Sequence, residues 1–294
     1  MHNVNKCSLC GGDNLVGLYT KTIDNDRPWS DFLRSKDLPS QLSALACKEC
    51  GLIFQSPVYD DEELQLLYNL GSEPASQEAI AMAEVNSSRR AKDVYNAFTP
   101  WLDASKGSVL DVGGRSGELM RLFVKAGYEV SVLDMDGGDP VDARIEKIRK
   151  PFLDLHEYSF NAITMLHVLE HVVSPRQFLE HACGLLTPNG LLYIEVPSEL
   201  LTPIVFRHIG DHRHIVYFSR ETLRATLEIA GFTCLSCKLV IGFVGGNLPV
   251  IRAVARKHDE KESYKSVRGS AFRSFSEVLH PLPVMVRIMN AFKW

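Results

Sequence analysis

A chain of 294 residues, 45% of them apolar, carries enough hydrophobic material for a sizeable core and, by length, for about two domains. That excludes a disordered or collagen-like chain. The 32 basic and 36 acidic side chains give a formal charge of −4, which excludes the electrostatic footprint of a general nucleic-acid binder. The opening Met-His-Asn-Val-Asn-Lys has no apolar signal-peptide core, and no run reaches the ~18 apolar residues that span a bilayer. A cytoplasmic protein without a transmembrane segment is expected.

Four of the seven cysteines fall in two Cys-x-x-Cys pairs, Cys7 with Cys10 and Cys47 with Cys50, each followed by glycine. An odd cysteine total without an export signal argues against a disulfide framework. Two such knuckles supply four thiolates, and a closed all-thiolate shell is the arrangement of a structural zinc site. The 36 residues between the pairs must contain a loop, which Asp24 to Ser40 fits. Residues 1–72 are read as this zinc-binding module. Residues 1–75 carry six basic and eleven acidic side chains, so the module is a poor ligand for phosphate backbones and is read as a cap or lid. Cys234 and Cys237 lie in an apolar, strand-like run and are expected to be buried and inert.

From Glu73 to Trp101 the apolar spacing is helical and is read as a connecting helix pair that leads into a second domain, residues 73–256. Ser108-Val-Leu-Asp-Val-Gly-Gly-Arg-Ser-Gly117 then combines a β-branched run, an acid and a glycine cluster. A helix over Glu118 to Ala126 follows, stopped by Gly127, and a strand from Glu129 to Leu133 ends at Asp134. This is a strand–turn–helix cofactor site. A dinucleotide fingerprint needs Gly-x-Gly-x-x-Gly, whereas Gly113 and Gly117 are separated by Gly114, Arg115 and Ser116. Asp111 ahead of the turn repels a pyrophosphate and suits a cationic ligand. Asp134 is placed to bind ribose hydroxyls.

These residues resemble the first motif of the class I S-adenosylmethionine-dependent methyltransferases, Asp-x-Gly-x-Gly-x-Gly. The match is Asp111, Gly113 and Gly117, with Asp134 at the family's ribose-binding acid. Arg115 stands at the middle glycine, where it either crowds the amino-acid portion of the cofactor or clamps its carboxylate. The resemblance implies an α/β fold, a Rossmann-like seven-stranded methyltransferase sheet, with S-adenosylmethionine as cofactor and Asp111, Gly113, Gly114, Arg115, Gly117 and Asp134 around it. Asp154 is the one candidate for an adenine-side acid.

Phe160 to His171 is an apolar strand running into a polar pair, and it looks like the Leu-Glu-His motif after the fourth strand of many small-molecule methyltransferases. Ser174-Pro-Arg-Gln177 reads as a capping box ahead of a helix to about Leu186, and Thr187-Pro-Asn-Gly190 turns into a strand from Leu191 to Val196. Asp211-His-Arg-His-Ile-Val-Tyr-Phe-Ser219 is similar to the His-x-x-x-Phe-Ser segment of the same group, with Ser219 capping a helix from Arg220. Two closing strands are expected over Thr233 to Phe243 and Leu248 to Ala255. A four-cysteine module ahead of such a core resembles the zinc-containing methyltransferases that modify deoxysugars, the sugar C-methyltransferases among them. Where those carry a large third domain, this chain has the segment 257–294.

The implied reaction is methyl transfer to a small-molecule acceptor, a sugar first, with a histidine base near its ordinary pKa. His171, His167, His212 and His214 are the candidates for this base; the resemblance puts His171 first with Glu170 beside it, and His167, His212 and His214 are otherwise assigned to the acceptor. An alternative metal role for His208, His212 and His214 with Asp211 has irregular spacing. His156, His181 and His258 are read as surface positions. Residues 252–294 hold nine basic and four acidic side chains. They are read as a helical tail that packs on its own domain or a second copy, with contact to a membrane surface as the other reading. Two functional alternatives remain at this point: a catalytically silent binding protein in which Arg115 blocks the cofactor, and an RNA or protein methyltransferase that uses the zinc module for recognition.

Overall fold

Alternation along Gln41-Leu-Ser-Ala-Leu-Ala-Cys47 places Leu42, Ala44 and Ala46 on one buried face. In the computed structural model, which describes residues 3–22, 41–60, 63, 77–103, 106–135, 138–199, 214–243 and 247–258, this segment is strand β2 (Gln41–Cys47). It pairs antiparallel with β1 (Leu15–Thr22) and with β3 (Ile53–Ser56). The sheet takes its fourth strand from far downstream. β9 (Val216–Tyr217) pairs antiparallel with β3, Ile53 opposite Tyr217 and Phe54 opposite Val216. The loop expected over Asp24 to Ser40 lies outside the described residues, as do residues 259–294 of the tail.

The expected helix pair is a single helix, α1 (Gln77–Phe98), within the described residues. The reason is local: no glycine or proline interrupts residues 77–98, and the first breaker is Pro100, where the helix tightens into the 3₁₀ turn Thr99–Trp101. No helix of the described residues is long and apolar enough to cross a membrane.

The second sheet has seven strands in the order β10-β11-β8-β7-β4-β5-β6, the methyltransferase order expected from the sequence. β4 (Ser108–Val112), β5 (Glu129–Leu133), β6 (Glu146–Ile148), β7 (Phe160–Leu166) and β8 (Leu186–Pro197) run parallel. β11 (Asn247–Lys257) lies antiparallel between β8 and β10 (Phe232–Phe243). The chain steps outward from β4 through β5 to β6, then returns to lay β7 on the other side of β4. Strand order therefore reverses at the carboxyl end of β4, and an open α/β sheet binds its ligand in the crevice that this reversal leaves.

Helix ends follow their sequence signals unevenly. A 3₁₀ turn, Glu118–Met120, leads into α2 (Arg121–Ala126), which Gly127 ends at φ 90°. Proline opens α3 (Pro175–Leu185), but Ser174 makes no side-chain cap bond there. The expected capping box is absent because Ser174, at ψ 73°, does not bring its hydroxyl to the first-turn amides. Ser219 does cap α4 (Arg220–Ile229): its hydroxyl accepts from Thr222 N–H at 3.1 Å, and Thr222 Oγ1 accepts from Ser219 N–H at 2.9 Å. The expected turn at Thr187–Gly190 bulges out of β8, whose register to β7 jumps from Phe160–Leu186 to Ala162–Leu191.

One apolar core runs through both sheets. Leu9, Leu42, Leu52 and Phe54 of the cysteine module share it with Ile163, Leu169, Ile215 and Phe218. A second layer lies between the seven-stranded sheet and α1, where Phe98 stacks on Tyr193 at 5.0 Å. Cys234 and Cys237 are half-buried against the first core rather than fully enclosed, on either side of a bulge in β10. His181, expected on the surface, is half-buried edge-on to Phe152 at 5.0 Å.

Ser219→Ala removes the reciprocal cap of α4 and is expected to lower stability by about 1 kcal/mol. Ser219→Thr should restore most of it, read from the urea midpoint at unchanged slope.

Candidate active site

The turn after β4 is built from left-handed backbone. Gly113 sits at φ 70°, Gly117 at φ 83° and Arg115 at φ 52°. The last of these is strained for a residue with a side chain, and the Arg115 side chain is exposed. A Cβ on Gly114 would lie 2.2 Å from Asp111 Oδ2, so a side chain there would have to displace the Asp111 carboxylate. The turn is tied down from β5 and β6. Arg115 N–H donates to Asp134 Oδ2 at 3.0 Å, Gly113 N–H to Leu133 C=O at 2.8 Å, and Lys147 Nζ to the Arg115 carbonyl.

Asp111, at the end of β4, is 1% exposed. Thr164 of β7 donates its hydroxyl to Oδ1 at 2.6 Å, while the buried Oδ2 has no hydrogen-bond partner among the described residues. Burial pushes the Asp111 carboxyl up to about 7, against the pull of the Thr164 hydroxyl and of Arg90. An orphaned buried acid beside a glycine cradle, with a second acid one strand away, suits a ligand that brings positive charge and a ribose. Asp111, Gly113, Gly114, Gly117 and Asp134 are thus brought together as expected. Asp154 is exposed in the 3₁₀ turn Phe152–Asp154.

The second half of the site follows β7. His167 is held at φ 58°, with its N–H on the Glu195 carbonyl at 2.9 Å. Its Nδ1 lies 3.2 Å from Glu170 Oε1, and His171 Nε2 lies 3.8 Å from the same oxygen. Glu170 is fully buried. Burial opposes its charge, but His167, His171 and His214 outweigh that and hold its carboxyl below the ordinary value. The His171 and His214 rings meet edge to face at 4.9 Å, and His214 Nδ1 is 2.6 Å from Glu199 Oε1. A Cβ on Gly113 would stand 3.0 Å from the Val168 side chain, so the glycine turn and this histidine segment are in contact. His208, Asp211 and His212 lie outside the described residues.

Backbone bonds deliver His214 to this place. Ile215 N–H donates to the Glu170 carbonyl at 2.7 Å, and Gln55 N–H donates to the Ile215 carbonyl at 2.8 Å. The cysteine module is thereby bonded to the histidine segment. In that module Cys7 Sγ is 3.4 Å from Cys50 Sγ, and Cys10 Sγ is 3.5 Å from Cys47 Sγ. All four sulfurs lie within 4.8 Å of one another, none in a disulfide.

Sequence reasoning missed two groups. Glu199 gives no local signal, since its role depends on His214 arriving from another segment. Glu195 is a carboxylate in the apolar run of β8, and that oddity was the available clue. It is fully buried and joined to Arg90 at 2.7 Å and Arg252 at 2.8 Å, while Tyr193 donates its hydroxyl at 2.6 Å. Arg252 also reaches Asp93 at 2.7 Å. This network clamps α1 to β8 and β11 and holds the strand whose carbonyl fixes His167. Broken on one side only, it would leave an uncompensated buried charge.

A family model described as a methyltransferase domain matches residues 83–237. Ubiquinone biosynthesis O-methyltransferase of Shewanella halifaxensis is 31% identical over 158 residues, covering 46% of this chain and 65% of that protein. The human mitochondrial ubiquinone biosynthesis O-methyltransferase is 31% identical over 169 residues, covering 46% and 43%. The chain thus spans 43% to 65% of these relatives' lengths. Among solved structures, 1,6-didemethyltoxoflavin-N1-methyltransferase of Burkholderia thailandensis, bound to 1,6-didemethyltoxoflavin and S-adenosylhomocysteine, superposes with a TM-score of 0.51 at 17% identity. The match covers 71% of this chain and 96% of that one. At that identity the likeness is one of fold.

Asp111 has its carboxyl raised in the folded protein, so the folded state keeps a proton that the unfolded chain releases. Its contribution to stability is present at low pH and is lost as pH rises through about 7. The melting temperature of the ligand-free protein should therefore fall more between pH 5 and pH 8, values chosen about the raised pKa, than that of Asp111→Asn. Parallel curves for the two proteins would rule this out.

Proposed function

The chain belongs to the methyltransferase-domain family, and from that premise we propose that it moves the methyl group of S-adenosylmethionine to a hydroxyl of a small-molecule acceptor, a sugar first. One observation carries the reading: the segment that bears the imidazole–carboxylate cluster after β7 packs its Val168 side chain against Gly113 of the turn after β4, which puts a proton-accepting segment next to the cofactor cradle. Asp111, Gly113, Gly114 and Gly117 would hold the amino-acid end of the cofactor and Asp134 its ribose. Bound there, S-adenosylmethionine supplies a methyl already activated as a sulfonium.

What the chain must add is alignment and removal of a proton. His171 takes the acceptor proton, and buried Glu170 orients the ring and offsets its charge. His167 and His214 line the acceptor side, with Glu199 fixing the His214 ring and His212 assigned to the same side by its motif. Arg115 lies exposed at a left-handed position of the turn. Oxygen as the methylated atom is supported by the relatives' names, and a sugar by the four-cysteine module ahead of the core. An acceptor from ubiquinone biosynthesis, as the relatives' names print it, is the second reading, and catechols serve as its probe.

The four cysteines fit a structural zinc. Sulfurs 3.4 and 3.5 Å apart match neighbours on a tetrahedron with Zn–S bonds of about 2.3 Å. Thiols this crowded and buried ionise together only against a cation. With four protein ligands the ion would have no open position for chemistry, so its role is to hold β2 and β3 in place for β9.

His171→Asn should slow transfer from labelled S-adenosylmethionine at least ~100-fold, with S-adenosylhomocysteine affinity within about twofold by calorimetry. The acceptor panel comprises nucleotide-linked deoxysugars, free sugars and catechols. Undiminished transfer by this variant would falsify the base assignment, and transfer to catechols alone would sink the sugar reading. Elemental analysis of the purified protein should find zinc, with one equivalent per chain lost in Cys47→Ser together with a lower melting temperature. Full-strength folding without metal would remove the zinc assignment.

A further inference from the structure

We propose that Glu170, His171 and His214 form a divalent-cation site of zinc type, separate from the four-thiolate set. A carboxylate oxygen and one nitrogen from each ring lie within 4.8 Å of one another. The Glu170–His171 pair is already at 3.8 Å, and the two rings stand edge to face with centroids 4.9 Å apart. Bonds to such an ion are about 2.0–2.2 Å long, so modest rotation of the two rings closes the remaining distance.

Three further observations point to a ligand here. Glu170 is fully buried; its Oε1 has the His167 ring nitrogen at 3.2 Å, while its Oε2 has no hydrogen-bond partner among the described residues. Buried charge in that condition calls for a cation. Next, Glu199 stands behind His214 with Oε1 2.6 Å from Nδ1. A carboxylate on the far nitrogen is the usual support of a metal-ligating histidine, and it makes Nε2 the ligating atom. Finally, the site is pre-assembled. The Ile215 N–H bond to the Glu170 carbonyl at 2.7 Å fixes the two ligand-bearing segments against each other without any ion.

The donor set selects the ion. Two imidazoles and one carboxylate favour zinc, cobalt or nickel over magnesium or calcium, which prefer all-oxygen shells. Three protein ligands leave a position open to solvent or to an acceptor oxygen. This inference rests on the reading of the cluster as the acceptor side of the site. It adds a constraint, because an ion and a proton on the same His171 nitrogen exclude one another.

The test is a Co²⁺ titration of the full-length protein purified with its thiolate site filled, followed by calorimetry and visible absorption. One further equivalent is expected, with the weak visible bands of a nitrogen–oxygen site and no thiolate-to-cobalt charge-transfer band. Glu170→Gln and His214→Ala should each weaken it at least tenfold. If Glu170→Gln fails to fold, His214→Ala, whose ring is partly exposed, carries the comparison alone. Absence of a further equivalent, or one that both folded variants retain, overturns the site and leaves the base assignment standing. Undiminished transfer by His171→Asn overturns the base assignment and leaves the cobalt result standing.

Discussion

The bond from Ile215 N–H to the Glu170 carbonyl is the joint on which the rest of this structure depends. Through it the segment after β7 and the segment before α4 are locked together, and Gln55 N–H, donating to the Ile215 carbonyl, adds the cysteine module as a third partner. Three stretches remote in sequence thus meet at one backbone position. Their side chains, Glu170, His171 and His214, converge because their main chains do. The module that looks separable by its cysteine spacing supplies β3 as the template for β9, and shares one apolar core with the seven-stranded sheet.

Electrostatics around this joint follow a consistent logic. Every deeply buried acid is either balanced or poised for a partner. Glu195 is balanced by Arg90, Arg252 and the Tyr193 hydroxyl, and its net effect is to pin α1 across the sheet. Glu170 is surrounded by imidazoles. Among the acids of the described residues Asp111 has its carboxyl raised, because it is enclosed with one hydroxyl donor and an orphaned second oxygen. Such an arrangement disfavours the empty, ionised state and favours one in which a positive ligand occupies the turn.

Much of the scaffold was legible before any coordinates. The β-branched run of β4, the glycine turn, Asp134 after β5 and the Ser219 cap all fell where local pattern put them. Each depends on interactions within a few residues of itself. The apolar spacing over residues 73–101 points to a helix pair, whereas the unbroken run 77–98, free of glycine and proline, folds as the single helix α1. Ser174 shows the converse: a capping signature fails when the entering chain takes a ψ of 73°. Glu199 was illegible for a different reason, because an acid in a loop has no periodicity to betray its partner.

By itself the sequence determined the strands β4, β5 and β7, the composition of the cofactor turn and the spacing of the four cysteines, because hydrophobic period, glycine placement and Cys-x-x-Cys spacing act locally; the seven-stranded sheet was implied by the family resemblance. Only the tertiary structure decided that β9 belongs to the cysteine module's sheet, that Glu195 is a clamp, and that Glu199, His214, His171 and Glu170 form one cluster. Those facts rest on contacts between segments that no local pattern links: strand pairing at long range, and the requirement that buried charge find its partner wherever the fold brings one.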